Sequence, residues 1–531
     1  MFNQRSFVAS AIFTAVLIIA GGFLAFDAFR PAPLQHALMN VEGIVVLSFI
    51  VILYARSRAP LAAMDGSDAL RPVWALAVII VTVALAFAPT LQTPFLYDDY
   101  THITDASRFT WRSIALQFGP SAGRGLFFRP VGFFLYWLNY LWARANPAWW
   151  HAGSIALHAI CSCLTYTLCR QVRISRLASL GGALLFGLSG VSAEPVAWID
   201  ARFDLMTTAL VLVSLILVCR YAATARAAWL AGALAAGACA MLSKESGFCL
   251  PFLMASLALL QDRTHWKPIA RAATFAGVLA VVLFAYRWWA LRGIGGYSGA
   301  EGVANVIHFN FVRTLDALLL RQWAVLFFPF NWSTEVSPVL RAALAATPVV
   351  LAACAWMARP PRRQLIGCVA FIIAAGLPVE HLLLIGPDLG GSRILYLGSV
   401  GCALLWALVL DTMGRTPRIV TACVLLVLQG WTLEHNLRVW RDTAELARSV
   451  CVAFGQVVAS GPGPVVVRGL PAIRNGAVFL QNGFPQCVEM TAGVPAARIQ
   501  SQASEPGVRE FVWSEQHGRL EPTTEARGAG R

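Results

Sequence analysis

Apolar runs of membrane length follow one another from Phe7 to Leu433, and that feature limits what the chain can fold into more than any other. A bilayer core asks for about 20 apolar residues per helix, within a range of about 17–25. Phe7–Phe29 and Leu38–Tyr54 make a first hairpin, and Val73–Leu91 follows after Arg56, Arg58 and Arg71. Further runs continue through Trp150–Leu168, Leu177–Val196, Leu205–Val218, Ala228–Leu242, Phe248–Leu260, Ala272–Leu291, Ala342–Met357, Leu365–Ile385, Ile394–Leu410 and Ile419–Leu433. Phe7–Phe29 is too long for a signal-peptide core and lacks a cleavage site, so it reads as a retained span. The chain therefore reads as an all-α multi-span transmembrane bundle of about 13 spans.

Charge placement sets the orientation. Only 13% of residues are charged, against about 25% in soluble domains. The net charge of +14 could signal a nucleic-acid binder, but the arginines cluster in short loops between apolar runs. That is the positive-inside pattern, and it removes nucleic acid from the partners. The N-terminus is expected inside and the C-terminus outside. Lysine occurs only at Lys244 and Lys267, and the Ala- and Arg-rich composition points to a GC-rich bacterial genome. The expected location is then a bacterial inner membrane with a periplasmic C-terminus.

The expected domains are an N-terminal hairpin (1–60), a membrane catalytic region (61–440) and a small extramembrane α/β domain (441–531). In the last, Val465–Val467 reads as a strand, Gly469-Leu-Pro471 as a turn and positions 523–531 as disordered. Ten of the 12 cysteines lie in or beside apolar runs; Cys451 and Cys487 lie in the tail and can pair if it is periplasmic. Two stretches resist a simple span. Phe127–Trp142 is short and crowded with aromatics, so it reads as a horizontal or half-inserted helix. Asn305–Phe328 carries Asp316 and Arg321, so it reads as re-entrant or packed on other helices. Asp105–Ile114 reads as an amphipathic helix in the interface.

The outer loops collect charges of both signs. Asp98 and Asp99 follow the Val73–Leu91 run, where a carboxylate reaches water and can meet a polar substrate; mid-bilayer it would cost roughly 2.5–3.5 kcal/mol. With them come Arg129, Glu194, Arg202, Asp204, Lys244, Glu245 and Arg393. Both signs suit a phosphate leaving group beside a hydroxyl acceptor: arginine forks hold phosphate oxygens, and a carboxylate takes the acceptor proton. Each has a plainer reading. Glu194 ends a helix, Arg202 and Asp204 pair with each other, and Lys244-Glu245 forms a tight polar turn. His151 and His158, seven residues apart, share a helix face and read as buried, satisfied histidines or, with Tyr396, as substrate-binding groups. The Asn331-Trp-Ser333 triplet matches a glycosylation acceptor and is discounted as a chance match. No CxxC or His/Cys metal spacing occurs, so no cofactor is assigned. Asp98, Asp99 and Glu194 would supply oxygen ligands for a divalent cation if they met in space.

These pieces fall in an order that resembles the multi-pass GT-C glycosyltransferases using lipid-phosphate sugars, and specifically the membrane part of protein O-mannosyltransferase-like enzymes that carry tetratricopeptide repeats. The matching segments are Phe95-Leu-Tyr-Asp-Asp-Tyr, Phe128-Arg-Pro, His151 through His158, Glu194-Pro-Val-Ala-Trp-Ile with Arg202 and Asp204, Ser243-Lys-Glu, Phe328-Pro-Phe-Asn-Trp-Ser, Ser392-Arg-Ile-Leu-Tyr-Leu with Tyr396, and Asn436 with Trp440-Arg-Asp. The resemblance implies sugar transfer with inversion from a polyprenyl-phosphate donor to a glycan, lipid or protein acceptor. Asp98 or Asp99 would be the base, Glu194 a further catalytic group, and Lys244 and Arg393 would hold the donor phosphate. Where such enzymes have His-Pro-Val-His, this chain has Ser189-Gly-Val-Ser192, so no histidine acts there. Tetratricopeptide repeats are not seen, so the acceptor need not be a protein. The competing functions are a flippase for lipid-linked glycans, which would place its charges mid-bilayer, and a non-catalytic envelope scaffold.

Overall fold

The computed structural model describes residues 32–57, 71–119, 127–293, 295, 311–377, 385–500 and 508–523. The expected first span, Phe7–Phe29, lies outside them, as do positions 524–531. Among the described residues eight helices are long and apolar enough to cross a membrane, and nine if the bent pair Arg176–Gly187 and Gly190–Ala197 counts as one span. Of the 13 expected runs, Phe7–Phe29 and positions 378–384 of Leu365–Ile385 lie outside the described residues, and two others fold short. Ala227–Met241 has 15 residues and Leu250–Leu260 has 11. At about 1.5 Å per residue, 15 residues reach only about 22 Å.

Local sequence explains the start and break of these helices. Asn146 caps the Pro147–Gln171 helix by accepting from the Ala148 N–H at 3.0 Å, with proline at the first turn. The bent span breaks by 42°. Gly190, at the break, sits so close to the Pro329 carbonyl that a Cβ would not fit. The expected amphipathic helix divides into Asp98–Arg108 and Trp111–Leu116, because Thr110 and Ser113 form a reciprocal capping box that starts the second piece afresh. Pro130–Ala143 is a helix of 14 residues, too short to span. The Asn305–Phe328 stretch is described from Phe311. It runs as helix Phe311–Asp316, a π turn and helix Gln322–Phe327. It packs against Ala32–Arg56, where Arg321 Nε donates to Asn40 Oδ1 at 2.9 Å.

Tyr396–Asp411 is buried along almost its whole length and forms the centre of the bundle. Trp266–Leu291 lies at the rim, with Val278, Val281, Val282 and Trp289 exposed as a lipid-facing helix would have them.

A chain of hydrogen bonds gathers the basic loops at one end. Arg56 donates to the Trp356 carbonyl, Arg362 to Ser57 Oγ, Arg363 to the Gln261 carbonyl and Gln261 to the Gln171 carbonyl, while Arg173 pairs with Asp262. The acidic and basic residues of the candidate site lie at the opposite helix ends.

Arg415–Ala459 has 45 residues, about 68 Å of helix. It spans the bundle and continues past residue 441 without a break, so the chain leaves the membrane region as rigid helix and not as a linker. The extramembrane domain sits on it. Its sheet has the order β4-β1-β5-β6, with β1 (Val465–Arg468) parallel to β4 (Ile499–Gln500) and β5 (Arg509–Ser514), and β6 (Arg519–Pro522) antiparallel to β5. A hairpin of β2 (Ile473–Arg474) and β3 (Ala477–Val478) and the helix Phe484–Ala492 complete it. Cys451 and Cys487 form a disulfide between that helix and the long one.

Candidate active site

The site is built around the turn Leu96-Tyr97-Asp98-Asp99. Tyr97 has φ 49° and ψ −118°, the first central position of a type II′ turn, where glycine is usual. The Leu96 carbonyl accepts from the Asp99 N–H at 2.9 Å. A tyrosine held in a sparsely populated region costs roughly 1–3 kcal/mol, and such positions cluster at functional sites.

The turn gives the two adjacent aspartates different positions. Asp99 is 1% exposed. Its Oδ2 accepts from the Leu96 N–H at 3.0 Å and its Oδ1 from the Asp200 N–H at 2.8 Å, so it ties the turn to the Ile199–Ala201 segment. Burial pushes its carboxyl well above the usual range. Asp98 is half-buried and opens on the site; Asn482 Nδ2 donates to its Oδ1 at 3.2 Å. Burial and then the neighbouring Asp200 lift the Asp98 carboxyl to about 6, against the pull of His102, Asn482 and Arg393.

Ion pairs drawn from six separate segments make up the rest of the site, and Arg393 brings them within electrostatic range of Asp98. Arg393 pairs with Glu194, whose Oε2 also accepts from Ser392 Oγ at 3.1 Å and the Arg393 N–H at 3.0 Å. Lys244 Nζ is 2.5 Å from Asp204 Oδ2. Burial, Arg129 and Arg393 draw the Lys244 ammonium below its ordinary value despite Asp204. Arg129 forks onto Glu245 at 2.6 and 3.0 Å, and Arg287 reaches the other Glu245 oxygen at 3.2 Å. Arg393 lies within electrostatic range of Asp204 and Asp200, and Arg129 of the same two, so these pairs belong to one cluster. Trp198 forms a wall: the Arg393 guanidinium lies 4.7 Å from its ring centre, and Tyr97 and Trp440 pack on it at 6.2 and 6.4 Å.

Two groups that face the site had no assigned role in the sequence reading. His102 Nδ1 is 2.5 Å from Asp200 Oδ1. Burial pulls the His102 imidazole down, but Asp200 outweighs it and pushes it up to about 9. The signal was available, since His102 lies four residues after Asp98 on one helix face. Arg287 is likewise an arginine inside the Ala272–Leu291 apolar run, the kind of placement that points to a functional site.

Other expected residues lie in the packed interior. Arg202 is 1% exposed and does not pair with Asp204. Its Nη2 donates to the Trp150 carbonyl at 2.6 Å and Ser154 Oγ at 3.0 Å, and its guanidinium lies over Trp150 and Tyr136. Asp204 is taken by Lys244 instead. His151 Nε2 meets the Thr93 carbonyl at 3.0 Å. His158 has both nitrogens engaged, with Tyr396 Oη at 2.7 Å and the Gly187 carbonyl at 3.0 Å. Both histidines and Tyr396 are buried and His158 is fully satisfied, so the expectation that these three bind substrate is corrected: they pack the bundle interior. Asn331 is buried, with Nδ2 donating to the Asn475 carbonyl, which leaves no room for a glycan.

The three carboxylates offered as cation ligands do not gather. Asp99 is held by backbone N–H groups and Glu194 by Arg393 and Ser392. Among the described residues no group of three or more His, Cys, Asp or Glu side chains is placed to hold a metal ion.

No family model matches the chain. It is similar to Protein O-mannosyl-transferase TMTC4 of Homo sapiens, 24% identical over 473 residues, covering 72% of this chain and 62% of that protein. It is also similar to Protein O-mannosyl-transferase TMTC1 of Homo sapiens, 27% identical over 224 residues, covering 37% of this chain and 25% of that protein. The chain thus spans less than two thirds of the length of these relatives. Two solved structures bear a distant likeness. One is the oligosaccharyltransferase of Archaeoglobus fulgidus, at 11% identity and TM-score 0.45 over 80% of this chain and 62% of that one. The other is ArnT from Cupriavidus metallidurans bound to undecaprenyl phosphate, at 14% identity and TM-score 0.35 over 83% of this chain and 92% of that one.

Proposed function

We propose that the chain is an integral-membrane glycosyltransferase that moves a sugar from a polyprenyl-phosphate donor to an acceptor hydroxyl, with Asp98 as general base. One observation carries the reading. Asp98 is a half-buried carboxylate outside the ion pairs, lifted to about 6 by burial and Asp200, and it lies within electrostatic range of Arg393 and of Asp200, which tie it to the Lys244 and Arg129 pairs. The curated relatives are named for O-mannosyl transfer to protein; what we extend to this chain is transfer of a sugar to a hydroxyl oxygen. Asp98 takes the acceptor proton as that oxygen attacks the anomeric carbon. The bond from that carbon to the phosphate oxygen breaks, and polyprenyl phosphate leaves with the electron pair. Attack opposite the leaving group inverts the anomeric centre. Arg129, Lys244 and Arg393 are proposed to stabilise the charge on the departing phosphate; Glu194 holds Arg393, Asp204 holds Lys244 and Glu245 holds Arg129.

We place this site at the outer face of a bacterial inner membrane. Two observations support it: the arginine-rich loops occupy the opposite end, and the extramembrane domain carries a disulfide, which suits an oxidising compartment.

The test is transfer from a labelled polyprenyl-phosphate sugar in membranes carrying the wild type or Asp98→Asn. Loss of about 10²–10⁴-fold is expected for a removed general base. Wild-type turnover by Asp98→Asn would end the proposal.

A further inference from the structure

The extramembrane domain reaches back onto the base-bearing turn. Gly483 has φ +73° and lies so close to the Tyr97 carbonyl that a side chain could not be accommodated. The Phe484–Ala492 helix that follows packs on Asp98–Arg108. It is fixed from behind by the disulfide from Cys487 to Cys451 and by Phe484 against Phe454, ring centres 5.5 Å apart. A second grip lies at the loop before Arg393, where Gly476 is seated against the Asp388 carbonyl and the Asn475 carbonyl accepts from Asn331. The domain therefore clasps two of the loops that carry charged groups of the site. From this clasp the exposed Asn482 sends its amide to Asp98 Oδ1 at 3.2 Å.

We propose that Asn482 is a positioning residue for the general base. Its N–H holds Asp98 Oδ1 and leaves Oδ2, which has no hydrogen-bond partner among the described residues, free to take the acceptor proton. The proposal rests on the reading of Asp98 as base. It gives the extramembrane domain a direct part in the reaction centre without any contact to substrate.

The bond to Asn482 also favours the ionised carboxylate. The other charged groups facing Asp98 are His102 on its own helix, Asp200 from the Ile199–Ala201 turn and Arg393 from the turn before Tyr396–Asp411. None of them changes when Asn482 is replaced, so its effect can be read separately.

The experiment measures the pH dependence of kcat/KM in the full-length membrane protein for wild type, Asn482→Ala, Asn482→Asp, the exposed-neighbour control Gln481→Ala, and Asp98→Asn. Losing the amide should move the acid limb upward by about 0.5–1 pH unit, a roughly 3–10-fold loss on that limb. Asn482→Asp should move it further, because a like charge now faces the base, and the excess should shrink in high salt. Gln481→Ala should follow the wild type. Cleavage of the 451–487 region by added protease, compared across variants, checks that the domain stays docked. If Asp98→Asn is inactive while both Asn482 variants overlay the wild-type profile, the positioning role is refuted and the base assignment stands. If Asp98→Asn is fully active, both fall together.

Discussion

Replacing Asp98 and Asp99 one at a time by asparagine should give two different defects, although the residues are adjacent. Asp99→Asn keeps one acceptor oxygen and turns the other into an amide facing a backbone N–H, of either Leu96 or Asp200. An opposed, unsatisfied donor in a buried site costs about 1–3 kcal/mol, enough to loosen the tie between the turn and the Ile199–Ala201 segment. Misplacement by 1 Å can cost about 10²-fold in rate, so kcat should fall. The base remains, so the acid limb should stay near the Asp98 value of about 6. Its sign follows from the chemistry. A general base works ionised, so turnover should fall about tenfold per pH unit below that value and level off above it. Asp98→Asn should lose about 10²–10⁴-fold and show no limb in the residual rate. Stopped assays with a labelled lipid-phosphate sugar in proteoliposomes between pH 4.5 and 8.5, at about half-unit steps, would read both profiles. A limb that survives in Asp98→Asn and vanishes in Asp99→Asn would refute the division of roles.

Replacing both Cys451 and Cys487 by serine opens a crosslink between positions 36 apart and should lower the stability of the extramembrane domain by up to about 4 kcal/mol, seen as earlier proteolysis of the tail on heating. Arg393→Ala strands Glu194, which is 2% exposed, and should cost about 3–5 kcal/mol. Adding Glu194→Gln should recover much of that stability but not transfer, measured by thermal aggregation alongside turnover. Arg202→Met removes two hydrogen bonds and two ring contacts inside the bundle and should lower stability by about 1–3 kcal/mol, leaving the donor KM within about threefold; a rise of tenfold or more would put Arg202 at the substrate.

Span placement was legible because apolar length is a one-dimensional property. The errors are where length was marginal: Phe248–Leu260 and Ala228–Leu242 are apolar enough to be taken as spans, yet fold into helices too short to cross. Which charges share a loop could also be read, but which charges pair could not. Asp204 is two residues from Arg202, and the sequence made that pair natural. The helix rise turns Asp204 toward Lys244 and Arg202 toward Trp150, and sequence proximity carries no information about that rotation. Nor could the sequence separate Asp98 from Asp99. That distinction comes from the positive φ of Tyr97, an unfavourable choice for tyrosine that no propensity rule would have placed there. The contact of the tail with Asp98 joins residues 384 apart and had no local signal.

Three cations of the cluster are each paired with an acid, and this bears on how it would receive a phosphate. Each half-buried cation has an acidic partner: Arg129 has Glu245, Lys244 has Asp204 and Arg393 has Glu194. Without those acids the cations would repel one another, and their side chains would splay toward water. With them, donors are fixed in place before the lipid phosphate arrives, and reorganisation at the moment of reaction is small. The same pairing explains why Asp98 must stay outside the ion pairs. A carboxylate bound to Arg393 would have its oxygens taken up by the guanidinium and would be a poor acceptor for a hydroxyl proton. Asp98 instead has burial and Asp200 pushing it up and only the Asn482 amide bonded to it. An arginine introduced at position 482 should therefore be more damaging than alanine there: it would draw Asp98 into an ion pair, move the acid limb of the profile down, and lower the plateau because the base is weaker. A plateau equal to the wild type's, with the limb unmoved, would count against the idea that the site depends on keeping this one carboxylate unpaired.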